Sequence, residues 1–219
     1  MADKELKEKW NFQDPLYPNL MGRKTLQAIR VLLLLPCLWI TYESLARFTI
    51  GTQFYFFTYW AHNIVTLGLI LSLYLGRKPS SEAHPTLLLL GAVSTELVLG
   101  MQPFVIGGYW LVMHPIVMKE IENDHIVVYW IMILIHTWPC FAVFLNIAIS
   151  RFVLIPSHAI YFWYFAPFYM VLNYIGKEMR GRPVYPFLDW KDYMTIVIGG
   201  VLFAVGMVTY LGMAKVNNW

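Results

Sequence analysis

Hydrophobic positions along this chain gather into runs of roughly 20 residues, the length that crosses about 30 Å of hydrocarbon at 1.5 Å per residue. Six runs are readable, at about 26–46, 53–75, 86–110, 125–149, 157–175 and 194–214. Backbone groups cannot go unpaired in lipid, and barrel strands need only about ten alternating residues, so runs of this length predict helices. The links between them are short and polar, as in GRKPSSEAHP and HPIVMKEIEND. With no internal repeat and no low-complexity tract, the pattern predicts an all-α integral membrane protein. Residues 1–219 read as one polytopic domain, a six-helix transmembrane bundle behind a polar N-terminal arm over 1–25.

Composition supports that picture and removes one class. Of 219 residues, 58% are hydrophobic and only 13% charged, against about 25% charged in a soluble domain. Mean hydropathy is +0.55. A large soluble domain is excluded, because no polar stretch is long enough to enclose a core. The net charge of +3 suits anionic headgroups and makes no case for nucleic acid. An even number of spans puts both termini on one side, with Lys4, Lys7, Lys9, Arg23, Lys24, Arg30, Arg77, Lys78, Arg151 and Lys215. The other side carries Arg47, Lys119, Lys177, Arg180, Arg182 and Lys191. That bias directs the termini to the cytosol or its equivalent. The N-terminus lacks the short apolar region of a secretory signal. Its acidic residues argue against an ordinary mitochondrial presequence but not against an internal signal, so the endoplasmic reticulum and the mitochondrial inner membrane both stay open. Cys37 and Cys140 fall inside spans and read as small buried hydrophobes rather than a disulfide.

Polar residues inside the spans carry the candidate chemistry. An ionised group at the bilayer centre costs about 2.5–3.5 kcal/mol, which makes such positions functional candidates. They are Glu43, Thr58, His62, Asn63, Glu96, Gln102, His136, Asn146, His158 and Asn173. The plain alternative for the amides and hydroxyls is an interhelical hydrogen bond, worth about 0.6 kcal/mol each. Glu43 lies near a span end and reaches the interface; Glu96 lies deep and must be protonated or paired. Thr58 and His62, four residues apart, share a helix face. His136 enters the bilayer from the same side as Thr58, at depths of roughly 16 Å and 8 Å respectively. That offset exceeds a hydrogen bond, yet it is comparable to the boundary error and helix tilt combined. A threonine hydroxyl becomes a nucleophile when an imidazole takes its proton. A converging Thr and His could therefore attack an acyl carbonyl, with Asn63 or Tyr59 as candidate oxyanion donors. Rival readings are His62 and His136 as axial haem ligands, and a proton or ion path through Glu96 and His136.

A resemblance adds to this reading. The segment RPVYPFLDW (Arg182 to Trp190), one further apolar span and the tail TYLGMAKVNNW resemble the C-terminal end of the androgen-induced-gene family. YFFTY (Tyr55 to Tyr59) and HTWPCFAVF (His136 to Phe144) are similar to two further family segments, in the same order and at comparable spacing. The resemblance implies hydrolysis of branched fatty-acid esters of hydroxy fatty acids by an intramembrane Thr and His, which match Thr58 and His136. It implies no cofactor or metal, and it implies membrane lipids and a lipid ester as partners. The chain departs from the family pattern at Pro139, where the Leu-Pro-Phe order is lost, at Ile133, where members carry a second His, and in the GKEMRGRP loop. These departures keep an alternative open, a non-catalytic accessory subunit of a large membrane complex such as a mitochondrial inner-membrane assembly. Tyr185 and Trp190 of the VYPFLDW stretch, near Arg182 and Lys191, also read as an interfacial anchor.

Overall fold

The apolar runs become helices in a computed structural model that describes residues 10–77, 82–120 and 126–217. In chain order these are α1 (Arg23–Arg47), α2 (Ile50–Tyr55), α3 (Phe57–Leu75), α4 (Pro85–Gly107), α5 (His114–Glu120), α6 (Ile126–Ile149), α7 (Ile160–Arg180) and α8 (Met194–Asn217). The chain is thus predominantly α-helical. Among the described residues, four helical segments are long and apolar enough to cross a membrane: α1, the continuous stretch Pro85–Val117, α6 and α8. Two other runs also became helices of 19 and 21 residues, α3 and α7. Thr58, His62 and Asn63 make α3 less apolar, as do the tyrosines and the basic last turn of α7.

Two runs end differently from the pattern. The second is broken at Phe56, whose extended backbone (φ −92°, ψ 125°) ends α2 and starts α3. Thr58 therefore sits in the first turn of a new helix, not partway along an old one. The third run continues past 110 through a π-helical turn, Gly108–Met113, into α5. Pro103 lies just upstream in α4, and a proline removes one amide from the ladder and bends the helix at that point.

The N-terminal arm, read as polar, contains a strand. Residues Trp10–Pro15 form β1, antiparallel to β2 (Ser150–Phe152), with Trp10 opposite Phe152 and an irregular register toward Pro15. Alternation buries Trp10 and Phe12 at the end of the bundle. Arg30 explains why the arm stays there. Counted by sequence among the interfacial charges, its guanidinium is fully buried. It donates to the Phe12 carbonyl (2.6 Å), the Ser72 carbonyl (3.2 Å), Ser150 Oγ (2.8 Å) and Asn146 Oδ1 (2.9 Å). A buried charge survives only when its donors are satisfied, and this one joins β1, α1, α3, α6 and β2. Outside the bundle, the Asn11 amide donating to Asp14 (2.9 Å) and the adjacent Arg23 (2.7 Å) hold the Asp14 carboxyl below its ordinary range.

Helices α3 and α4 make the most extensive contact, with α1 and α6 packed on α3, and α6 and α8 on α4. Glycines allow the α4–α8 crossing. A Cβ at Gly206 would stand 2.9 Å from the Gly100 carbonyl, and one at Gly100 would stand 2.9 Å from that of Gly206. Small residues let helix backbones approach in this way where lipid supplies no hydrophobic drive. Helix α7 is held mainly by α2 and α8, so space is left on its inner side.

Candidate active site

Thr58 and His136 meet in that space. Thr58 Oγ1 lies 3.2 Å from His136 Nε2, and both residues are under one-tenth exposed. Counting residues from the helix starts does not foresee this contact, because Thr58 lies in the first turn of α3 and His136 lies well inside α6. The second ring nitrogen decides the direction of this bond. His136 Nδ1 lies 2.5 Å from the Met132 carbonyl, one turn earlier in α6, and a carbonyl can only accept. Nδ1 therefore carries the proton, Nε2 presents its lone pair, and the Thr58 hydroxyl donates to it. Tyr109, in the π-helical turn, stacks on the imidazole at 3.7 Å and 10°. Such turns are rare and recur at functional sites.

The pair opens on a cavity of about 280 Å³, walled by Phe57, Phe104, Tyr109, Tyr185, Phe187 and Leu188, among others. A groove of about 550 Å³ lies between α7 and α8, and the two hollows share Met170, Gly199 and Phe203. The groove's walls are apolar or aromatic, including Trp163, Ala166, Ile196 and Gly200. The arrangement can do acyl-transfer chemistry: an activated hydroxyl, a base of fixed tautomer, and an apolar space for a lipid chain.

Most of the other polar candidates tie parts of the chain together. His62, the rival base, bonds through Nε2 to Thr41 Oγ1 (2.9 Å) on α1 and not to Thr58. With His62 Nε2 on Thr41 and His136 Nε2 on Thr58, the two imidazoles are not set up as a haem-ligating pair. Glu96 is paired with His158 Nδ1 and accepts the Ile155 amide (2.9 Å), pinning the chain between α6 and α7. It does not pair with His136, which removes the path through those two residues. Glu43 pairs with Arg47 (3.0 Å) on α1, Asn146 serves Arg30, and Asn173 Oδ1 accepts the Trp190 indole N–H (2.8 Å). Gln102 is buried with no partner among the described residues. Both cysteines are free, Cys37 buried and Cys140 half-buried.

The suggested oxyanion donors are corrected. Asn63 is exposed on the outer face of α3, and Tyr59 is buried against Ile40 and Ile135, outside the cavity. Tyr185, read as an interfacial anchor, instead turns its hydroxyl inward. It accepts the Phe57 N–H at 2.9 Å. Trp190 is likewise tied inward, its backbone N–H to Thr195 (2.9 Å) and its indole to Asn173, with φ at 57°. The only sequence signal for Tyr185 was the VYPFLD motif, whose residues carry no polarity pattern to mark one hydroxyl as buried. No protein-family model, characterised protein or solved structure matches the chain.

Proposed function

We propose that this protein is a six-pass intramembrane lipid-ester hydrolase of an endomembrane or the mitochondrial inner membrane. Its substrates are of the branched fatty-acid ester type that its resemblance to the androgen-induced-gene family implies. One observation carries the reading: a threonine hydroxyl hydrogen-bonded to the unprotonated nitrogen of a tautomer-locked histidine, at the wall of an apolar cavity. An ester diffusing in from lipid lays an acyl chain in the α7–α8 groove and its carbonyl near Thr58. Thr58 Oγ attacks the carbonyl carbon as Nε2 of His136 takes the hydroxyl proton. The tetrahedral intermediate collapses, the alkoxide leaves with the proton from Nε2, and an acyl-threonine remains. Water, deprotonated by the same nitrogen, repeats the sequence and releases the fatty acid.

The Met132 carbonyl stands where a Ser-His-Asp triad has its carboxylate. It sets the tautomer but offers the imidazolium no full negative charge, so a slower turnover than in carboxylate-backed triads is expected. The test is hydrolysis of a long-chain ester by the purified chain in nanodiscs, together with fluorophosphonate labelling mapped to a residue. Label on Thr58, lost in Thr58→Ala, supports the reading. Labelling and turnover that persist in Thr58→Ala sink it.

A further inference from the structure

The turn that roofs the site carries a hydroxyl that plays no part in the Thr58–His136 proton transfer. Tyr185, Pro186, Phe187 and Leu188 form a β-turn closed by the Leu188 N–H on the Tyr185 carbonyl (3.0 Å), with proline at the second position, where its fixed φ suits the turn. The turn comes after Gly181, whose left-handed φ of 65° ends α7. The Tyr185 ring packs edge-on to Phe56 (5.6 Å, 82°) and against Phe187 (5.3 Å, 19°). Arg180 covers the far ring of this set, 5.1 Å from the Phe56 centroid. The side chain is therefore held from several directions.

Its hydrogen-bonding capacity is half spent. The oxygen accepts the N–H of Phe57, one of the amides that a helix leaves unpaired in its first turn. Tyr185 shares the cavity wall with two further hydroxyl side chains, Thr58 and Tyr169. Tyr169 gives its own proton to the Tyr55 carbonyl (2.9 Å), and Thr58 gives its proton to His136. Tyr185 is thus the hydroxyl in this group whose proton can turn to a new acceptor in the cavity without breaking another donor's bond.

We propose that the Tyr185 hydroxyl donates to the oxyanion formed when Thr58 attacks the ester. The inference rests on the hydrolase reading. As the Thr58 Oγ–carbon bond forms, the carbonyl π pair moves onto its oxygen, and the Tyr185 O–H, polarised by the Phe57 N–H it accepts, turns to that oxygen. No proton is transferred by Tyr185; the Thr58 proton goes to His136 and leaves with the alkoxide. The donor is fixed before reaction and sits at the N-terminal end of α3, where the helix dipole adds to its effect.

The experiment compares full-length Thr58→Ala, Tyr185→Phe and Tyr59→Phe in nanodiscs, with turnover of a p-nitrophenyl ester and the fluorophosphonate labelling rate as readouts. Tyr185→Phe is expected to lower kcat about 100-fold with KM within about threefold, and to slow labelling in parallel. Tyr59→Phe, outside the cavity, stays within about threefold. Tyr185→Phe at wild-type kcat beside an inactive Thr58→Ala overturns this role and leaves the hydrolase reading standing. An active Thr58→Ala overturns both. Because Tyr185→Phe also strips Phe57 of its acceptor, a second measurement replaces Tyr185 by 3,5-difluorotyrosine, which keeps the oxygen and acidifies the proton. A new loss of kcat on the alkaline side, tracking the lowered phenol pKa, supports the role; an unchanged pH profile overturns it.

Discussion

Two threonine–histidine pairs lie inside this bundle at nearly the same separation. Thr41 and His62 are 2.9 Å apart, Thr58 and His136 3.2 Å. Distance alone ranks the first pair higher, yet its chemistry runs the other way. The Thr41 hydroxyl donates to the Cys37 carbonyl (3.0 Å), so His62 Nε2 must supply the proton between them. That leaves the lone pair on Nδ1, which is buried without a partner among the described residues and faces away from Thr41. His62 therefore cannot activate Thr41, and neither residue lines the cavity. In the second pair the Met132 carbonyl accepts the Nδ1–H, Nε2 keeps its lone pair for the Thr58 hydroxyl, and the space in front of Thr58 is open. A histidine's second nitrogen, more than its contact distance, separates a structural pair from a reactive one.

The comparison is broken most directly by removing each hydroxyl. Thr58→Ala is expected to lower kcat for ester hydrolysis by about 10³-fold or more, while Thr41→Ala stays within about threefold. Equal losses in the two variants would reduce the difference between the pairs to one of stability. Removing each imidazole comes next. His136→Ala should cost about 10³-fold in kcat. His62→Ala should leave kcat largely intact and lower the thermal midpoint instead, because it opens a cavity in the packed bundle; a loss of about 1–3 kcal/mol is expected. Tyr109→Ala tests orientation of the base. Losing the stacked ring, worth about 0.5–1.5 kcal/mol, should reduce kcat roughly three- to tenfold with little change in KM. An unchanged kcat would show that Met132 alone holds the imidazole.

The smallest effect belongs to the opposite end of the bundle and serves as the control. Asp14 has a depressed pKa in the folded chain, first through Asn11 and then through Arg23. Its contribution is therefore present above the unfolded carboxyl value of about 3.9 and is lost as pH falls through the lower folded value. Asp14→Asn should lower the melting temperature slightly at neutral pH, narrow the gap from wild type below about pH 4, and leave kcat unchanged at every pH where the chain is folded. A change in turnover would couple the strand pair to the site, some 14 residues or about 21 Å along α3 from Thr58 to Ser72.

Which helices form was legible in the apolar runs, because helix length in lipid is set by local composition and the need to pair every amide. The breaks were not. Phe56 carries no breaker, and the π-helical turn after Pro103 depends on how Tyr109 packs across to α6. Strand β1 is not legible in the sequence, because six residues with two buried aromatics give too short a pattern to separate from a loop. At the site, Thr58 and His136 were nameable from the family resemblance and the rule that polar groups in lipid need a reason. Asn63 and Tyr59 lie close to Thr58 in sequence, but helix rotation turns both away from the cavity. Tyr185 lies far from Thr58 along the chain, in a motif that reads equally well as an anchor.

Sequence alone determined that this is a helical chain with segments apolar enough for a membrane, and that it carries more buried polar groups than insertion tolerates without partners. Tertiary structure decided who pairs with whom. Hydrogen bonds discriminate at about 3 Å, whereas depth read from helix boundaries carries errors of about two to four residues, or about 3–6 Å along the axis. The same limit hid the direction of each proton. Which nitrogen of His136 is the base depends on a carbonyl one turn away being free to accept and on a hydroxyl from another helix arriving opposite it, and only the packed bundle brings both to the same ring.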